Sequence, residues 1–382
     1  MIDCLVVGGG VIGLSLAYEL AGRGFKVEVV DRREMGKEAS WAGAGILPPA
    51  NRQTAVDPLD QLRGLSHELH ERWARDLQAE TGIDTGYSRC GGVSLARSRG
   101  EAATLIGEAS MLQDLGIAIR VIDMVELGRL EPAIDVTGET ARLRAAYLLP
   151  DECQLRNPAH LRALVKACEQ RGVRLREGVA VESFCVRAGQ IQNLVTAAGE
   201  LKARSYCITA GPWTRQLLTG LDVETGILPM RGQMVLFKSE RQLFQRIVNE
   251  GHRYLVPRTD GRVLAGSTEE EEGFDKSTTQ QAFAELTEFA YSLVPALRGA
   301  SIEAHWAGLR PASFDGLPYL GRIPDVTNGF VAAGHFRSGL HLSTGTAVVM
   351  AELIAGLTPQ IDLSPFQVSR GRSMVHAWHT RT

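Results

Sequence analysis

The sequence lacks the features of several protein classes. No apolar run approaches the ~18 residues that a transmembrane helix needs, and the first residues include no basic segment of a secretory signal peptide. The six cysteines are scattered and form no Cys-x-x-Cys pair, as expected for reduced cytoplasmic thiols and not for a disulfide framework or a metal site. A net charge of −3 offers no basic surface for nucleic acid. We therefore expect a cytoplasmic globular protein without a bound metal, a nucleic-acid partner or an integral membrane segment.

The beginning of the chain has the pattern of a dinucleotide-binding unit. Residues 4–7 are a short apolar run, which predicts a strand buried on both faces. Residues 8–13 fit G-x-G-x-x-G, apolar residues follow at helical spacing, and residues 27–30 predict a second strand that ends at Asp31. The motif binds dinucleotides in this order of strand, glycine turn, helix and strand. The sequence therefore predicts a Rossmann-like unit, without saying which dinucleotide it takes.

The residue types of this unit suit that chemistry. Gly8 permits the tight turn, Gly10 lets a pyrophosphate approach the backbone, and Gly13 lets the helix pack against the strands. The helix N-terminus offers unpaired N–H groups to phosphates, and Asp31 can accept a hydrogen bond from a ribose hydroxyl. Two arginines follow, beginning with Arg32. They could bind a 2′-phosphate, but the acid before them would repel it, which favours a solvated loop.

A second stretch of small residues covers positions 38–47. Small side chains let the backbone lie against a flat or charged group, and Ser40 can cap a helix or contact a phosphate. A domain that binds only a nicotinamide dinucleotide has no need of this loop. The alternative is a tight turn into a strand.

The remaining patterns alternate between helices and strands. Strands at 173–175 and 179–181 are expected to return to the nucleotide-binding sheet, and a buried strand from residue 207 ends in a glycine turn at Gly211. Such an ending suits the carboxyl edge of a parallel sheet, where ligands bind. Helical spacing predicts further helices at 62–78, 100–115, 157–171, 280–293 and 344–357.

A β-rich block follows residue 231. Residues 252–257 and 262–266 flank Thr-Asp-Gly, which predicts a hairpin, and the period of two places His252 and Tyr254 on one face. The run of four acids at 269–272 predicts a solvated loop.

The order of motifs resembles the D-amino-acid oxidase family of FAD-dependent oxidoreductases. The resemblance rests on the glycine turn, the small-residue loop, W-A-G-L-R-P at 306–311, D-G-L-P-Y-L-G-R at 315–322 and A-A-G-H-F-R-S-G at 332–339. It extends from residue 2 to about residue 366 and is most specific in the last motifs. Within the family, the chain is most similar to the bacterial glycine oxidases of thiazole synthesis, a part of thiamine biosynthesis.

This resemblance implies an α/β protein in which a Rossmann-like FAD-binding domain carries a second α+β substrate domain built on an antiparallel sheet. The FAD-binding domain would be discontinuous, at 1–48, 150–215 and 305–365. The substrate domain would cover 49–149 and 216–304, and residues 366–382 would form a flexible tail.

The resemblance further implies that FAD is bound non-covalently along one continuous surface. The cofactor-binding residues it implies are Gly8, Gly10, Val11, Ile12, Gly13, Asp31, Arg32, Ala39, Ser40, Ala44, Gly45, Ile46, Val179, Gly211, Gly334, His335, Phe336, Arg337, Ser338, Gly339, Leu340 and His341.

Four residues are implied at the substrate. Arg310 would hold a carboxylate through its planar fork, Tyr254 would add a neutral donor, Arg337 would complete the anion site, and His252 would line the pocket. Alternatives stay open for each of them. Arg310 could be a structural partner of Asp315, Arg337 could contact the cofactor or a neighbouring loop, Tyr254 could serve only sheet packing, and His252 could be a polar rim residue.

The activity that the resemblance implies is oxidative deamination of glycine or another small amine acid. The hydride would pass to flavin N5, and O₂ would reoxidise the flavin to give H₂O₂ and an imine or 2-oxo acid. A D-amino-acid dehydrogenase, a sarcosine-type oxidase and a flavin-binding assembly or RNA-modification partner without oxidase turnover are the alternatives. Glycine oxidases can carry methionine where this chain has Ile46, and the stiffer isoleucine should favour glycine, sarcosine and D-alanine. A homo-oligomer is possible.

Overall fold

The computed structural model describes residues 1–137 and 141–370. Its strands in chain order are β1 (Ile2–Val7), β2 (Val27–Val30), β3 (Ile46–Leu47), β4 (Gly92–Ala96), β5 (Arg120–Ile122), β6 (Ala145–Leu149), β7 (Cys153–Gln154), β8 (Arg174–Arg176), β9 (Val181–Arg187), β10 (Gln190–Thr196), β11 (Gly199–Leu201), β12 (Ala203–Ile208), β13 (Leu228–Lys238), β14 (Ile247–Glu250), β15 (Arg253–Pro257), β16 (Arg262–Gly266), β17 (Ser301–Ala312), β18 (Tyr319–Arg322) and β19 (Gly329–Ala333). Its α-helices are α1 (Val11–Gly22), α2 (Ala39–Ala42), α3 (Pro58–Thr81), α4 (Arg99–Asp114), α5 (Met124–Leu130), α6 (Asn157–Gln170), α7 (Thr214–Thr219), α8 (Gln280–Leu293) and α9 (Gly339–Ile354).

A six-stranded sheet carries the predicted dinucleotide-binding unit. Its strand order is β18-β19-β12-β1-β2-β8, parallel except for the antiparallel pair β18 and β19. β1 and β2 are apolar because both faces of the sheet are covered. On one face, α1, α3, α6 and α9 pack together in a core that includes Leu16, Trp73 and Leu164. The prediction of a Rossmann-like fold is confirmed.

The second large sheet has eight strands in the order β17-β13-β16-β15-β14-β4-β6-β5. Its neighbours are antiparallel except for the parallel pair β14 and β4. One face is covered by α8, whose Leu286, Phe289 and Leu293 are buried against Val235 and Phe237 of β13. The opposite face of the eight-stranded sheet and the six-stranded sheet line a common cavity. The predicted antiparallel sheet of the α+β part is confirmed.

Two local predictions were wrong. Residues 179–181 do not return to the six-stranded sheet, because Val181 begins β9 of a separate three-stranded sheet, β11-β10-β9. The last helix begins at Gly339 and not near residue 344. Glycine and serine have low helix propensity, and both occur between residues 339 and 343, so the helical pattern is clear only from residue 344 onward. The first turn of the helix, which that pattern misses, is the part that points into the cavity described below.

The predicted division into two domains stays a prediction, since membership of a sheet does not by itself define a domain. β17 lies within the predicted FAD-binding segments but pairs with β13 in the eight-stranded sheet. Conversely, α3 lies within the predicted substrate segments but packs against α9 and α6. Any boundary must take both connections into account.

The start of the predicted tail is ordered against the protein. Phe366 and Val368 are buried, and Arg370 binds the Asp315 carboxylate at 2.8 Å. Residues 371–382 of that prediction lie outside the described residues. Within the described part of the chain, no helix combines the length and apolar character that crossing a membrane requires.

Candidate active site

A cavity of about 960 Å³ lies between the carboxyl ends of β1, β2 and β12 and the open face of the eight-stranded sheet. Most of the predicted cofactor and substrate residues meet there. Those that line it are Gly8, Gly10, Val11, Ile12, Asp31, Arg32, Ala39, Ser40, Ala44, Gly45, Ile46, Val179, Gly211, Tyr254, Arg310, His335, Phe336, Arg337, Ser338, Gly339, Leu340 and His341. Gly13, Gly334 and His252 do not line it.

The glycine turn is shaped by close backbone contacts. Gly8 has φ of +113°, and a Cβ there would lie 2.6 Å from the carbonyl oxygen of Thr209. A Cβ on Gly13 would lie 1.9 Å from the carbonyl oxygen of Gly8. Gly13 therefore acts behind the cavity, where it allows α1 to approach the turn, while Gly8 and Gly10 face the cavity.

The N-terminus of α1 is open toward the cavity. Its N-cap, Gly10, has no side chain to cap the first turn. Among the first N–H groups, that of Val11 donates to Ser40 Oγ at 2.9 Å. Unpaired N–H groups and the helix dipole make such an end a site for phosphate.

Asp31 stands at the end of β2 as predicted. Its Oδ2 accepts from the N–H of Gly9 at 2.7 Å and its Oδ1 accepts from the N–H of Arg33 at 2.9 Å. Burial raises the pKa of this carboxyl, and the two backbone hydrogen bonds oppose the rise. The guanidinium of Arg32 lies 3.8 Å from the ring centroid of Trp213. Arg32 is exposed, and it lines the cavity with its guanidinium against the Trp213 ring.

Two side chains that sequence reasoning missed bind the backbone of the small-residue loop. Asn157 donates from Nδ2 to the carbonyl oxygen of Ser40 at 2.7 Å. The buried Arg258 donates to the carbonyl oxygens of Ala44 at 2.6 Å and Leu155 at 3.1 Å. Asn157 was predicted only as a helix start, and no role was predicted for Arg258. Their partners lie more than 100 residues away in the chain, so no local pattern could show these roles.

The N-terminus of α9 also points into the cavity without a side-chain cap. His335 precedes it, and a hydrogen bond of 3.1 Å joins its Nε2 to Thr346 Oγ1. Burial lowers the pKa of His335 to about 3, so the ring is neutral. His341 is buried, lines the cavity, and its Nε2 has no partner among the described residues. An unsatisfied polar atom of this kind is expected where a polar ligand belongs.

Arg310 is the arginine that β17 contributes to the cavity wall. Its NH2 donates to Ser267 Oγ at 2.6 Å and its NH1 donates to the carbonyl oxygen of Thr268 at 3.1 Å. Burial lowers the pKa of the guanidinium, and no carboxylate of a described residue forms a salt bridge with it. The pairing with Asp315 that the sequence left open does not occur, because Asp315 binds Arg370. Gly232 makes room for Arg310, since a Cβ there would lie 2.2 Å from NH1.

Arg337 has a different environment. Its NH1 lies 3.0 Å from Glu269 Oε2, and its NH2 donates to the carbonyl oxygen of His252 at 2.8 Å. The alternative in which Arg337 contacts a neighbouring loop is therefore the arrangement observed. His252 is exposed and contributes only its backbone, so its place in the pocket is corrected to the rim.

The acidic run is not a purely solvated loop. Glu269 pairs with Arg337, and Glu270 accepts hydrogen bonds from the buried Arg231, with Nε at 2.7 Å. The prediction of a solvated loop is confirmed for the exposed Glu269, although it pairs with Arg337, and was wrong for the half-buried Glu270, because the cation that Glu270 neutralises comes from the distant strand β13.

Tyr254 and Ile46 form part of the apolar wall. The Tyr254 hydroxyl lies 3.3 Å from Met234 Sδ, and both residues pack with Ile46 and Trp306. Tyr254 therefore serves packing and lines the cavity at the same time. The register of β3 and β7 places Ile46 opposite Gln154.

The arrangement fits FAD. The cavity has glycines that allow close approach, two uncapped helix N-termini that suit phosphate and a polar isoalloxazine edge, and the unsatisfied Nε2 of His341. The described residues contain no group of His, Cys, Asp and Glu side chains that could hold a metal ion.

Comparisons with known proteins agree with this geometry. Residues 3–353 match the family described as FAD dependent oxidoreductase, DAO. The glycine oxidase of Pseudomonas putida is 34% identical over 95% of this chain and 97% of its own length. The bifunctional protein ThiO/ThiG of Synechocystis sp. is 32% identical over 92% of this chain and 51% of its own length.

A solved structure shows the same fold. The crystal structure of glycine oxidase from Geobacillus kaustophilus superposes with a TM-score of 0.91 at 31% identity, and the match covers 96% of this chain and 98% of that one. The fold, the cavity and the match over nearly the whole sequence lead to one conclusion: the chain belongs to the DAO family of FAD-dependent oxidoreductases.

Proposed function

We propose that this enzyme carries out the oxidative deamination of glycine or another small amine acid. The observation that carries the proposal is Arg310, a guanidinium in the cavity wall that has no carboxylate partner among the described residues. A buried cation is costly unless an anion joins it, and a substrate carboxylate would fill that place. The similarity to glycine oxidases supports the choice of a small amino acid.

Arg310 would bind and orient the substrate. Ser267 Oγ and the carbonyl oxygen of Thr268 accept two of its five N–H groups and fix the plane of the fork. The remaining N–H groups can bind a carboxylate with two parallel hydrogen bonds. The hydroxyl of Tyr254 lies on the same wall and can donate a further hydrogen bond without adding a second charge. Once Arg310 fixes the carboxylate, the Cα–H bond of the substrate is restricted to one orientation in the cavity.

The residues around the glycine turn and the first turn of α9 would hold the cofactor. FAD, when bound, supplies the acceptor for the hydride that leaves the α-carbon. The apolar surfaces of Met234, Tyr254 and Ile46, which line the cavity, would exclude water from the reacting carbon. The substrate loses a hydride from carbon and a proton from nitrogen, and the resulting imine is hydrolysed to a 2-oxo acid and ammonia.

We further propose O₂ as the electron acceptor, with H₂O₂ as the second product. The similarity to a protein that combines ThiO with ThiG supports the predicted place in thiazole synthesis. A cytoplasmic location is part of the same proposal.

Anaerobic addition of glycine, sarcosine or D-alanine to the purified flavoprotein tests the reaction. Loss of the oxidised flavin absorbance, followed by formation of H₂O₂ when air is admitted, is the expected result. Bleaching without peroxide would replace the oxidase by a dehydrogenase that uses another acceptor. No bleaching by any small amine acid would overturn the proposal.

A further inference from the structure

Two polar side chains of α3 bind the beginning of α9 from outside the cavity. Ser66 and His70 are buried, and neither of them lines the cavity. The two helices pack against each other, and the first turn of α9 is the part of that helix that points into the cavity. Ser66 and His70 thus join the core of the molecule to a wall of the cavity.

The imidazole of His70 binds a backbone carbonyl group in the first turn of α9. Its Nε2 lies 2.8 Å from the carbonyl oxygen of His341. Because a carbonyl oxygen only accepts, Nε2 carries the hydrogen and donates it. Burial lowers the pKa of His70 to about 4. At neutral pH the ring is therefore uncharged, and the hydrogen bond selects the tautomer with the hydrogen on Nε2.

The ring of His70 also faces the ring of His341. The two ring centroids lie 6.3 Å apart, and the ring planes are inclined by only 20°. Since His341 lines the cavity, one side chain of α3 contacts both the backbone and the imidazole of a residue in the cavity wall.

Ser66 makes a second connection, one turn further along α9. The N–H of Gly345 donates to Ser66 Oγ at 3.2 Å, and Thr344 Oγ1 donates to the carbonyl oxygen of Ser66 at 3.1 Å. A Cβ on Gly345 would lie 2.4 Å from Ser66 Oγ, so the glycine permits this close approach. Hydrogen bonds from α3 therefore reach both the first and the second turn of α9.

A neighbouring histidine has the same burial without these contacts. His160 of α6 is 1% exposed against 2% for His70, and the two ring centroids lie 6.5 Å apart. Neither ring nitrogen of His160 has a partner among the described residues. Burial lowers its pKa to about 3, so this ring is neutral as well. The two histidines therefore differ in their contacts with α9 and hardly in burial or charge.

We propose that His70 and Ser66 are positioning residues for FAD, because they fix the first two turns of α9 at the cavity wall. The inference rests on the proposed function for the place of the cofactor at this helix end. The start of a helix favours negative charge, and a flavin takes up electrons when it is reduced. A displaced helix end would therefore weaken the binding of FAD, and it would weaken the binding of the reduced form more.

FAD titrations and reduction potentials of His70→Leu and Ser66→Ala test the inference. In His70→Leu the dissociation constant of oxidised FAD should rise about three- to tenfold, because a buried hydrogen bond is lost. Binding of reduced FAD should weaken by a further factor of about three to ten, which lowers the two-electron potential by about 15–30 mV. Ser66→Ala should shift both quantities in the same direction. His70→Gln, whose amide N–H can take the place of Nε2–H, should restore the wild-type values.

His160→Leu is the matched control, and it should leave the dissociation constant and the potential at their wild-type values. A potential that falls as far in His160→Leu as in His70→Leu would show a general effect of changes in the core and would overturn the inference. A wild-type potential in folded His70→Leu would also overturn it. The Tm of the apoproteins shows which variants fold, and if His70→Leu does not fold, Ser66→Ala decides in the same way.

Ser338→Asp separates this inference from the proposed function. Ser338 is the N-cap of α9 and lines the cavity, so a carboxylate there should lower the potential if FAD lies at this helix end. If Ser338→Asp lowers the potential and His70→Leu does not, the place of the cofactor stands and the positioning role is overturned. If neither variant changes the potential, the place of the cofactor fails and the inference fails with it. None of these measurements needs an amine-acid substrate, so they hold whether or not glycine reduces the flavin.

Discussion

The two walls of the cavity satisfy their polar groups in different ways. At the glycine turn the backbone itself faces the cavity, and Gly8, Gly10 and the uncapped end of α1 leave no room for large side chains. At the eight-stranded sheet the polar groups that line the cavity are side chains, such as the half-buried Arg310 and the buried Glu152, which follows β6. A change at the first wall therefore disturbs the fold, whereas a change at the second alters which molecule fits.

The second wall contains a contrast of its own. Arg310 is held by neutral oxygens and keeps its charge for a ligand, while Arg337 pairs with Glu269 at the rim. Two arginines that the sequence places in one anion site thus have unequal capacity for a carboxylate.

The largest effect is expected at the first wall. Gly13→Ala would place a Cβ 1.9 Å from the Gly8 carbonyl oxygen, which forces α1 away from the turn. We expect the variant to lose FAD and to unfold at a lower temperature, as measured by the ratio of flavin to protein and by Tm. Gly107→Ala in α4 is the matched control, because a Cβ there meets nothing within 4 Å and alanine favours a helix by about 1 kcal/mol. If the Gly13→Ala protein binds FAD as fully as the wild type does, the wall at the glycine turn is not more sensitive to substitution than the wall at the eight-stranded sheet.

The next effect separates the two arginines. Arg310→Ala should lower kcat/KM for glycine on the order of 10²–10³-fold, because it removes the cation that binds the carboxylate, and FAD should stay bound. Arg337→Ala should cost about tenfold or less, since its charge is already balanced and partly exposed. Steady-state kinetics on both variants provides the comparison. If Arg337→Ala loses as much kcat/KM as Arg310→Ala, or more, then Arg310 is not the arginine that binds the substrate carboxylate.

A smaller effect is expected from Glu269→Gln, which should make the rim of the cavity at Arg337 bind anions more tightly. Glu269→Gln frees the charge of Arg337, whose side chain is 32% exposed. Dicarboxylates such as malonate should then inhibit about three- to tenfold more tightly, with acetate nearly unchanged, because water screens exposed charges. Inhibition constants for both acids measure the change. Glu272→Gln in the same acidic run is the control, and a similar gain there would point to a general loss of negative charge.

The smallest effect concerns stability and pH. The pKa of Glu152 is about 8 in the folded protein against 4.5 for a free glutamate, so folding favours the protonated form. The contribution of this group to stability is present below about pH 4.5 and is lost as the pH rises to about 8. The Tm difference between Glu152→Gln and the wild type should therefore grow by a few degrees from pH 5 to pH 9. A pH-independent difference would show that the carboxyl is not buried as described.

Sequence patterns predict this molecule best where the structure is local. β1, α1, β2 and Asp31 follow one another within 31 residues, so spacing alone places the glycine turn and the acid correctly. The wall of the second sheet depends on pairs that are far apart in sequence, such as Glu152 with Gly92 and Arg310 with Ser267. A run of acids has the same appearance in sequence whether or not cations such as Arg337 reach it. The role of Arg337 was therefore open, and its pairing could be seen only in three dimensions.

The most direct test of the central claim is the anaerobic titration of the wild-type enzyme and of Arg310→Ala with glycine, followed through the oxidised flavin absorbance. The account predicts that both proteins carry FAD, that glycine bleaches the wild-type flavin, and that the variant stays oxidised at the same glycine concentration. Bleaching of the variant at the wild-type rate, or a wild-type flavin that no small amine acid reduces, would contradict it.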